Sequence, residues 1–307
     1  MKAIEKSRIW YENVLLPELQ KNFPQLTGRL AVGVAGRGSE CFGFDDEFST
    51  DHDRLTGVSV WITGEDDRLY GVALEKFYRK LHHNSFPEKT VSSRMGYGEN
   101  GVMTISSFFR RHIGLDGVPE NPLQWLNIPE YALAEAVNGE VFTDDLGEFT
   151  RIREKLLYGM PEDVRRKKVA GHAVMMAQSG QYNFARCLKH GETAAAAVAI
   201  HEFVIHAVPL AFLLNFRFAP YYKWMFRAMH QLPQLAGVVP ALESLLTGAL
   251  GNDEKIAVIE TIAAKYISVM REQGLSNIQS NYLEDHAFAV IDGIGNQQLR
   301  SMHIMEF

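Results

Sequence analysis

Cysteine is nearly absent from this sequence: Cys41 and Cys187 are the only two in 307 residues, and they lie far apart. That excludes a disulfide framework and any CxxC metal site, and it fits a reduced, cytoplasmic setting. A basic excess is missing too. Thirty-one Lys and Arg stand against 37 Asp and Glu, a formal net charge of −6, whereas a non-specific nucleic-acid binder is usually basic. The first ten residues, Met1 to Trp10, are charged and amphipathic and lack an apolar signal core. No internal repeat or low-complexity tract stands out. What remains is ordinary globular composition, 46% hydrophobic and 22% charged. At a soft prior of ~150 residues per domain the length suggests two domains.

Long hydrophobic runs are also scarce. Thr193 to Leu214 is strongly apolar and about long enough to span a bilayer, but it contains His201, Glu202, His206 and Pro209. Ionisable groups at that depth are costly. The segment is therefore expected to be a buried helix of a soluble bundle, with no membrane involved.

The sequence changes character near residue 150. Residues 3–22 read as an amphipathic helix, with Ile4, Ile9, Val14, Leu15 and Leu19 in its apolar stripe. Leu30–Ala35 is a short apolar run that ends in Gly36-Arg37-Gly38-Ser39, a strand followed by a tight turn. Val58, Val60 and Ile62 alternate with Ser59, Trp61 and Thr63, as a second strand would. Gly71–His82 reads as helix, Val102–Phe109 as a third strand, and Glu140–Thr143 as a fourth, closed by Asp144-Asp145-Leu146-Gly147. From Phe149 onward the pattern is helical, with segments at about 150–158, 161–179, 181–190, 192–214, 219–231, 233–248, 252–273 and 281–298, punctuated by Pro161, Gly180, Gly191, Pro233 and Gly274. The expected fold is α+β. An α/β domain with a small mixed sheet, residues 1–150, precedes an all-α helical bundle, residues 151–307.

The stretch that carries chemistry is Gly36-Arg37-Gly38-Ser39-Glu40, then Asp45-Asp46-Glu47, then Ser49-Thr50-Asp51-His52-Asp53. Gly-Ser at the mouth of a turn lets backbone approach a phosphate closely, and the Ser39 hydroxyl and nearby N–H groups can bind its oxygens. Asp51 and Asp53 follow twelve residues after Ser39. Side chains at i and i+2 of a strand share a face, so the two carboxylates can converge on hard divalent cations. A metal beside a phosphate cradle is the machinery of phosphoryl or nucleotidyl transfer. The bland alternative is an acid-rich loop that caps a turn.

These residues resemble the nucleotidyltransferase superfamily typified by DNA polymerase beta and kanamycin nucleotidyltransferase. The chain is more similar still to an uncharacterised bacterial family that carries that domain at its N-terminus. That resemblance runs over nearly the whole chain, through GRGSECFGFDDEFSTDHD, SSFFRRHIG, QWLNIPEYALAEAVNGEVFTDDLGEFTRIREKL and LLNFRFAPYYKW. It implies a polymerase-beta-like first domain and an active site between the domains. By motif, Gly38 and Ser39 would bind phosphate, and Asp51 and Asp53 would be the catalytic residues that hold two Mg²⁺ or Mn²⁺. The implied reaction moves a nucleoside monophosphate from an NTP, ATP by default, to an acceptor hydroxyl on a small molecule. A macromolecular acceptor (tRNA or protein) or a nucleotide-binding module without catalysis are the alternatives. Members often add a third carboxylate on a neighbouring strand; Val102-Met103-Thr104-Ile105-Ser106 has none, which leaves Glu99, Glu40 or the Asp45–Glu47 cluster.

Lys223 follows Pro220 in a run dense in aromatic residues. By resemblance it would lean onto the triphosphate, with Arg186, Tyr182 and Asn183 able to join it, since an arginine fork suits phosphate. The alternative for Lys223 is packing or solvation. His201-Glu202 with His206 fails the zinc-protease spacing: the two histidines are five apart, roughly 140° around a helix. Arg165-Arg166-Lys167-Lys168 reads as a solvated helix face, and Arg110-Arg111 likewise.

Overall fold

A computed structural model describes residues 1–46, 57–86 and 100–307. They fold into two units, Met1–Pro119 with Ala132–Gly159, and Glu120–Tyr131 with Met160–Phe307.

The first unit is built on four strands: β1 (Ala31–Val34), β2 (Ser59–Ile62), β3 (Gly101–Thr104) and β4 (Glu140–Asp144). Their order is β3-β2-β1-β4. β1 is antiparallel to both neighbours, and β2 is parallel to β3. The sheet is thus small and mixed, as expected from sequence. Every residue of β1 and β2 is buried, so the alternation in β2 separates two covered faces rather than an inner from an outer one. Three layers explain this. The helices α1 (Ala3–Trp10) and α2 (Leu16–Asn22) are joined by a π turn, Tyr11–Leu15. A one-turn α3 (Gly64–Asp66) leads through a second π turn into α4 (Val72–Ser85). Trp10, Leu15, Leu19, Leu74 and Tyr78 from these helices pack with Val32, Val34, Val60 and Ile62 on one face. On the other face the Trp61 ring stacks on Phe149 at 3.9 Å and meets Phe108 edge-on at 5.4 Å.

Phe108 lies on a helix where the sequence pattern predicts strand. β3 stops at Thr104, whose hydroxyl accepts the Ser107 amide at 3.0 Å and starts α5 (Ile105–Ile113). Ile105, Phe108, Phe109 and His112 then recur at helical spacing on one buried face. The apolar run that looked like one long strand is a strand and a capped helix in series. Two helices unforeseen in the sequence follow, α6 (Pro122–Leu126) and α7 (Glu130–Val137). α8 (Glu148–Tyr158) supplies Phe149.

The second unit is helical throughout its described elements: α9 (Glu162–Met176), a π segment Ala177–Phe184, α10 (Ala185–Lys189), α11 (Thr193–Leu214), α12 (Tyr222–Met229), α13 (Val239–Thr247), α14 (Asn252–Glu272), α15 (Leu283–Asp292) and α16 (Gln297–Ser301). α11 is the one described helix long and apolar enough to cross a membrane. Ala199, Phe203, Ala207, Leu210 and Leu214 along its length are packed in the helical core. Cys41 and Cys187 are both free thiols.

Two expectations for this unit are corrected. Gly180 does not punctuate helices; it sits inside the π segment, where a Cβ would collide with the buried ring of Phe203. The basic run of α9 is not a solvated face, since Arg165, Lys167 and Lys168 are all buried. Each buried cation meets fixed acceptors, the condition under which a charge tolerates burial. Arg165 pairs with Glu162 at 2.8 Å and lies over the Phe216 ring at 4.3 Å. Lys167 donates to the carbonyls of Met302 and His303, both at 2.8 Å. Lys168 sits 2.9 Å from Glu130.

Gly180→Ala gains helix propensity, about 1 kcal/mol, but overpacks a filled core, at a cost of about 1–3 kcal/mol. Because the collision is with an aromatic ring that has no room to withdraw, the variant is expected to be less stable in urea denaturation. A variant more stable than the parent would show that Gly180 is a mere flaw in a helix.

Candidate functional site

The chain leaves the central strand β1 at Val34 and turns at once. Gly36 takes φ +126°, a region that L side chains rarely adopt. Its N–H donates to Asn138 Oδ1 at 2.8 Å, and Asn138 Nδ2 donates to its carbonyl at 2.6 Å. One amide side chain thus satisfies both backbone groups of the residue that begins the turn. Gly139 follows at φ +71°, so close to β1 that a Cβ there would run into the Val34 carbonyl. Its N–H donates to the Cys41 carbonyl at 2.8 Å. Asn138 is itself held from behind, since Arg153 Nη2 donates to the carbonyls of Val137 and Asn138 at 2.8 and 2.5 Å.

Gly38 and Ser39 are half-buried. Ser39 opens a single 3-10 turn, Glu40–Phe42, and its carbonyl accepts the amides of Phe42 and Phe44 at 3.2 and 2.9 Å. Its hydroxyl makes no capping bond to that turn. The Glu40 carboxylate folds back against Gly38, so that a Cβ at Gly38 would collide with it. Arg37 is half-exposed but tethered, with Nε 3.3 Å from Oε2 of the buried Glu135 on α7. The same oxygen lies 3.3 Å from His112 Nδ1 on α5. The turn is therefore anchored at three points, Gly36 by Asn138, Arg37 by Glu135, and Cys41 by Gly139.

β2 runs antiparallel to β1, with Gly33 opposite Ser59. The turn thus follows the end of β1 at which β2 begins. Asp51 and Asp53 precede β2 in sequence and lie outside the described residues, as do Glu47 and Glu99. Of the other acids considered for a third carboxylate, Glu40 is at the turn itself. Asp45 is committed elsewhere: it accepts the Ala3 amide at 2.9 Å and pairs with Lys2 at 3.4 Å. Burial alone would raise its pKa, but the Ala3 amide and the Lys2 ammonium hold it below the ordinary carboxylate value. β3, Gly101–Thr104, carries no acid.

The remaining candidates sit in the helical unit. Lys223 lies in the first turn of α12, exposed and without an ion pair among the described residues. Arg186 is exposed and docks on Tyr182 one turn earlier, with Nη1 donating to the hydroxyl at 3.0 Å and the guanidinium 5.6 Å from the ring centroid. His201 is exposed, and Glu202 lies 3.5 Å from His206. Among the described residues no group of three or more His, Cys, Asp or Glu is placed to hold a metal.

Sequence reading overlooked Glu135, Asn138 and His112. Two signals were available. Glu135 is a lone acid in the apolar helical run Ala132–Val137, and Asn138-Gly139 is a strong turn dipeptide just before a strand.

Residues 125–225 match a family described as a domain of unknown function, DUF4037. That segment contains Glu135, Asn138, Arg186 and Lys223 but not the Gly38–Ser39 turn. No curated protein matches the chain. Among solved structures, a nucleotidyltransferase-like protein from Exiguobacterium sibiricum is similar at 11% identity, over 92% of this chain and 81% of that one, with a TM-score of 0.38.

Asn138→Ala removes both bonds to Gly36. Leaving buried partners unmade costs about 1–3 kcal/mol, and that loss is expected in chemical denaturation. Hydrogen exchange should report faster exchange at Gly36–Phe44 than in β2. Unaltered exchange at the turn would show that Asn138 does not brace it.

Proposed function

We propose that this chain is a metal-dependent nucleotidyltransferase that moves a nucleoside monophosphate from an NTP to a hydroxyl of a small molecule. The observation that supports this best is the braced Gly38–Ser39 turn, at the end of the central strand where β2 begins, combined with Asp51 and Asp53 in the sequence leading into β2. Gly38 has no side chain of its own, the Glu40 carboxylate that folds against it would swing aside for a phosphate to approach, and the Ser39 hydroxyl is not used by its own turn. Asn138 and Glu135 would keep this surface in one conformation before the nucleotide arrives, which lowers the ordering cost of binding. The carboxylates of Asp51 and Asp53 are the hard oxygen donors that Mg²⁺ or Mn²⁺ takes. Bound there, the metal would offset triphosphate charge and lower the pKa of the acceptor hydroxyl. Lys223 and Arg186 enter only through the family resemblance, as cationic groups for phosphate; the exposed ammonium of Lys223 is available for that role. The acidic net charge of −6 favours a small acceptor over tRNA.

One observation favours a second reading. β3 has no acid to serve as the third carboxylate, which suits a nucleotide-binding module without turnover. Binding and turnover measured separately distinguish the two.

Mg²⁺ with ATP is expected to raise the melting temperature; ligand at ~100 times its Kd adds about 2.7 kcal/mol. The double variant Asp51→Asn with Asp53→Asn should lose that effect. Ser39→Ala and Lys223→Met should each weaken ATP binding ~10-fold, about 1.4 kcal/mol, with unliganded stability intact. A full nucleotide-dependent shift in the double aspartate variant would refute the site. Lost stability with unchanged affinity in Lys223→Met would make that lysine structural.

A further inference from the structure

The helical unit carries an aromatic surface that the nucleotide reading does not use. Tyr131, Phe216, Tyr221 and Tyr222 are 45%, 63%, 43% and 61% exposed, and all four belong to that unit. Three of them are in ring contact. The Tyr221 centroid lies 6.1 Å from that of Tyr131 and 4.4 Å from that of Tyr222. Phe216 is brought to the same side by α9. The Arg165 guanidinium sits over its ring at 4.3 Å, and Lys168, three residues further along the same face of α9, pairs with Glu130 next to Tyr131. Exposed apolar groups scattered singly are ordinary, but a contiguous set marks a place of interaction.

Phe216 is held outward against its backbone preference. α11 ends in a cap in which the Arg217 amide donates to the Phe212 carbonyl at 2.9 Å and the Phe216 amide to the Leu213 carbonyl at 3.2 Å. The residue in the place of Phe216 in such a cap is left-handed and usually glycine. Phe216 has φ +54°. Its ring covers Arg165 but otherwise faces water, so burial does not explain a bulky residue there. Strain of this kind concentrates at binding sites.

The charge around the rings has one sign. From residue 203 to 242 the chain has no Asp or Glu but three cations, Arg217, Lys223 and Arg227. Arg217 and Lys223 directly follow Phe216 and Tyr222, are exposed, and make no ion pair among the described residues. The acids beside the supports of the rings are occupied, Glu130 by Lys168 and Glu162 by Arg165 and Arg166.

We propose that this surface binds a single strand of nucleic acid, with bases stacked on Phe216, Tyr221 and Tyr222 and phosphates on Arg217 and Lys223. Every base offers a flat face and every linkage a negative charge, and surfaces that bind single strands combine aromatic rings with cations for that reason. The centre of a protein interface is depleted in charge, whereas here unpaired cations adjoin the rings. A face seated on a membrane is built on Trp, Phe and Leu, whereas three of these four rings are tyrosines. The net charge of −6 weighs against a duplex, with its dense double row of phosphates, but a short strand meets only this local surface. Lys223 meets phosphate in this inference as in the nucleotide reading; the rings are what differ. The strand is a ligand of the helical unit, not the acceptor of the transfer reaction.

The test is fluorescence anisotropy of the full chain with a fluorescein-labelled oligothymidylate of about a dozen nucleotides. The single strand is expected to bind ~10-fold more tightly than a duplex of the same length, and inorganic polyphosphate, which has the charge without the bases, should not displace it at equal phosphate. Tyr222→Ala should lose ~10-fold in affinity, while Tyr222→Phe, which keeps the ring, retains most of it. Arg217→Gln should reduce the slope of log affinity against log salt by ~0.7. Phe216→Gly suits the left-handed cap, so it should keep the fold and weaken the strand. If Tyr222→Ala does not fold, Phe216→Gly and the polyphosphate competition decide. Displacement by polyphosphate, or an affinity unchanged in Tyr222→Ala, overturns the proposal. So does displacement of the strand by an equimolar amount of ATP, which would make this a mononucleotide site, or tighter binding to phosphatidylglycerol vesicles than to the strand, which would make it a membrane face.

Discussion

Two hydrogen bonds between the Asn138 side chain and the backbone of Gly36 govern the candidate site. Gly36 must reverse the chain at the end of a strand buried on both faces, in a backbone region few residues adopt. Without Asn138 its N–H and carbonyl would lose these partners where backbone groups need them most. With it, the turn is tied to the start of β4, which pairs along β1. The position of Ser39 then follows from the sheet rather than from a free loop. Such coupling matters chemically, because a surface that must receive a triphosphate gains affinity by being ordered beforehand.

A similar economy of acceptors operates in the helical unit. Arg165, Lys167 and Lys168 are consecutive but for Arg166, and each is buried. They are tolerated because each reaches a different set of oxygens: Glu162 and Leu213, the carbonyls of residues 302 and 303, and Glu130 with Ile128. These contacts tie residues 302–303 and residues 128–130 to one helix. The core itself comes from α11, whose apolar character is that of a helix surrounded by other helices.

The parts of the fold legible in sequence were those governed by periodicity. β1, β2 and β4 were visible as short apolar or alternating runs, and the long helices as 3.6-residue patterns. Periodicity failed where a single polar atom decides. At Thr104 one hydroxyl converts an apolar run from strand to helix. At Gly180 an apparent breaker is a packing requirement. At Arg165–Lys168 charge density suggested solvent; Glu162 lies one turn from Arg165, but the acceptors that bury Lys167 and Lys168 come from residues about 38 to 136 positions away in sequence, beyond any local pattern. The candidate site divides in the same way. Gly38 and Ser39 were legible from motif order. Asn138 and Glu135, which hold that motif, were not, because their role exists only once α7 and β4 lie beside β1.

The most direct measurement is a crystal structure of the full chain with a non-hydrolysable ATP analogue and Mg²⁺. The triphosphate is expected within hydrogen-bonding distance of the Ser39 hydroxyl and the Gly38–Ser39 backbone, with Asp51 and Asp53 on the metal and Asn138 still clasping Gly36. An ordered nucleotide bound elsewhere, with this turn unliganded, would contradict the assignment of the turn as the phosphate site.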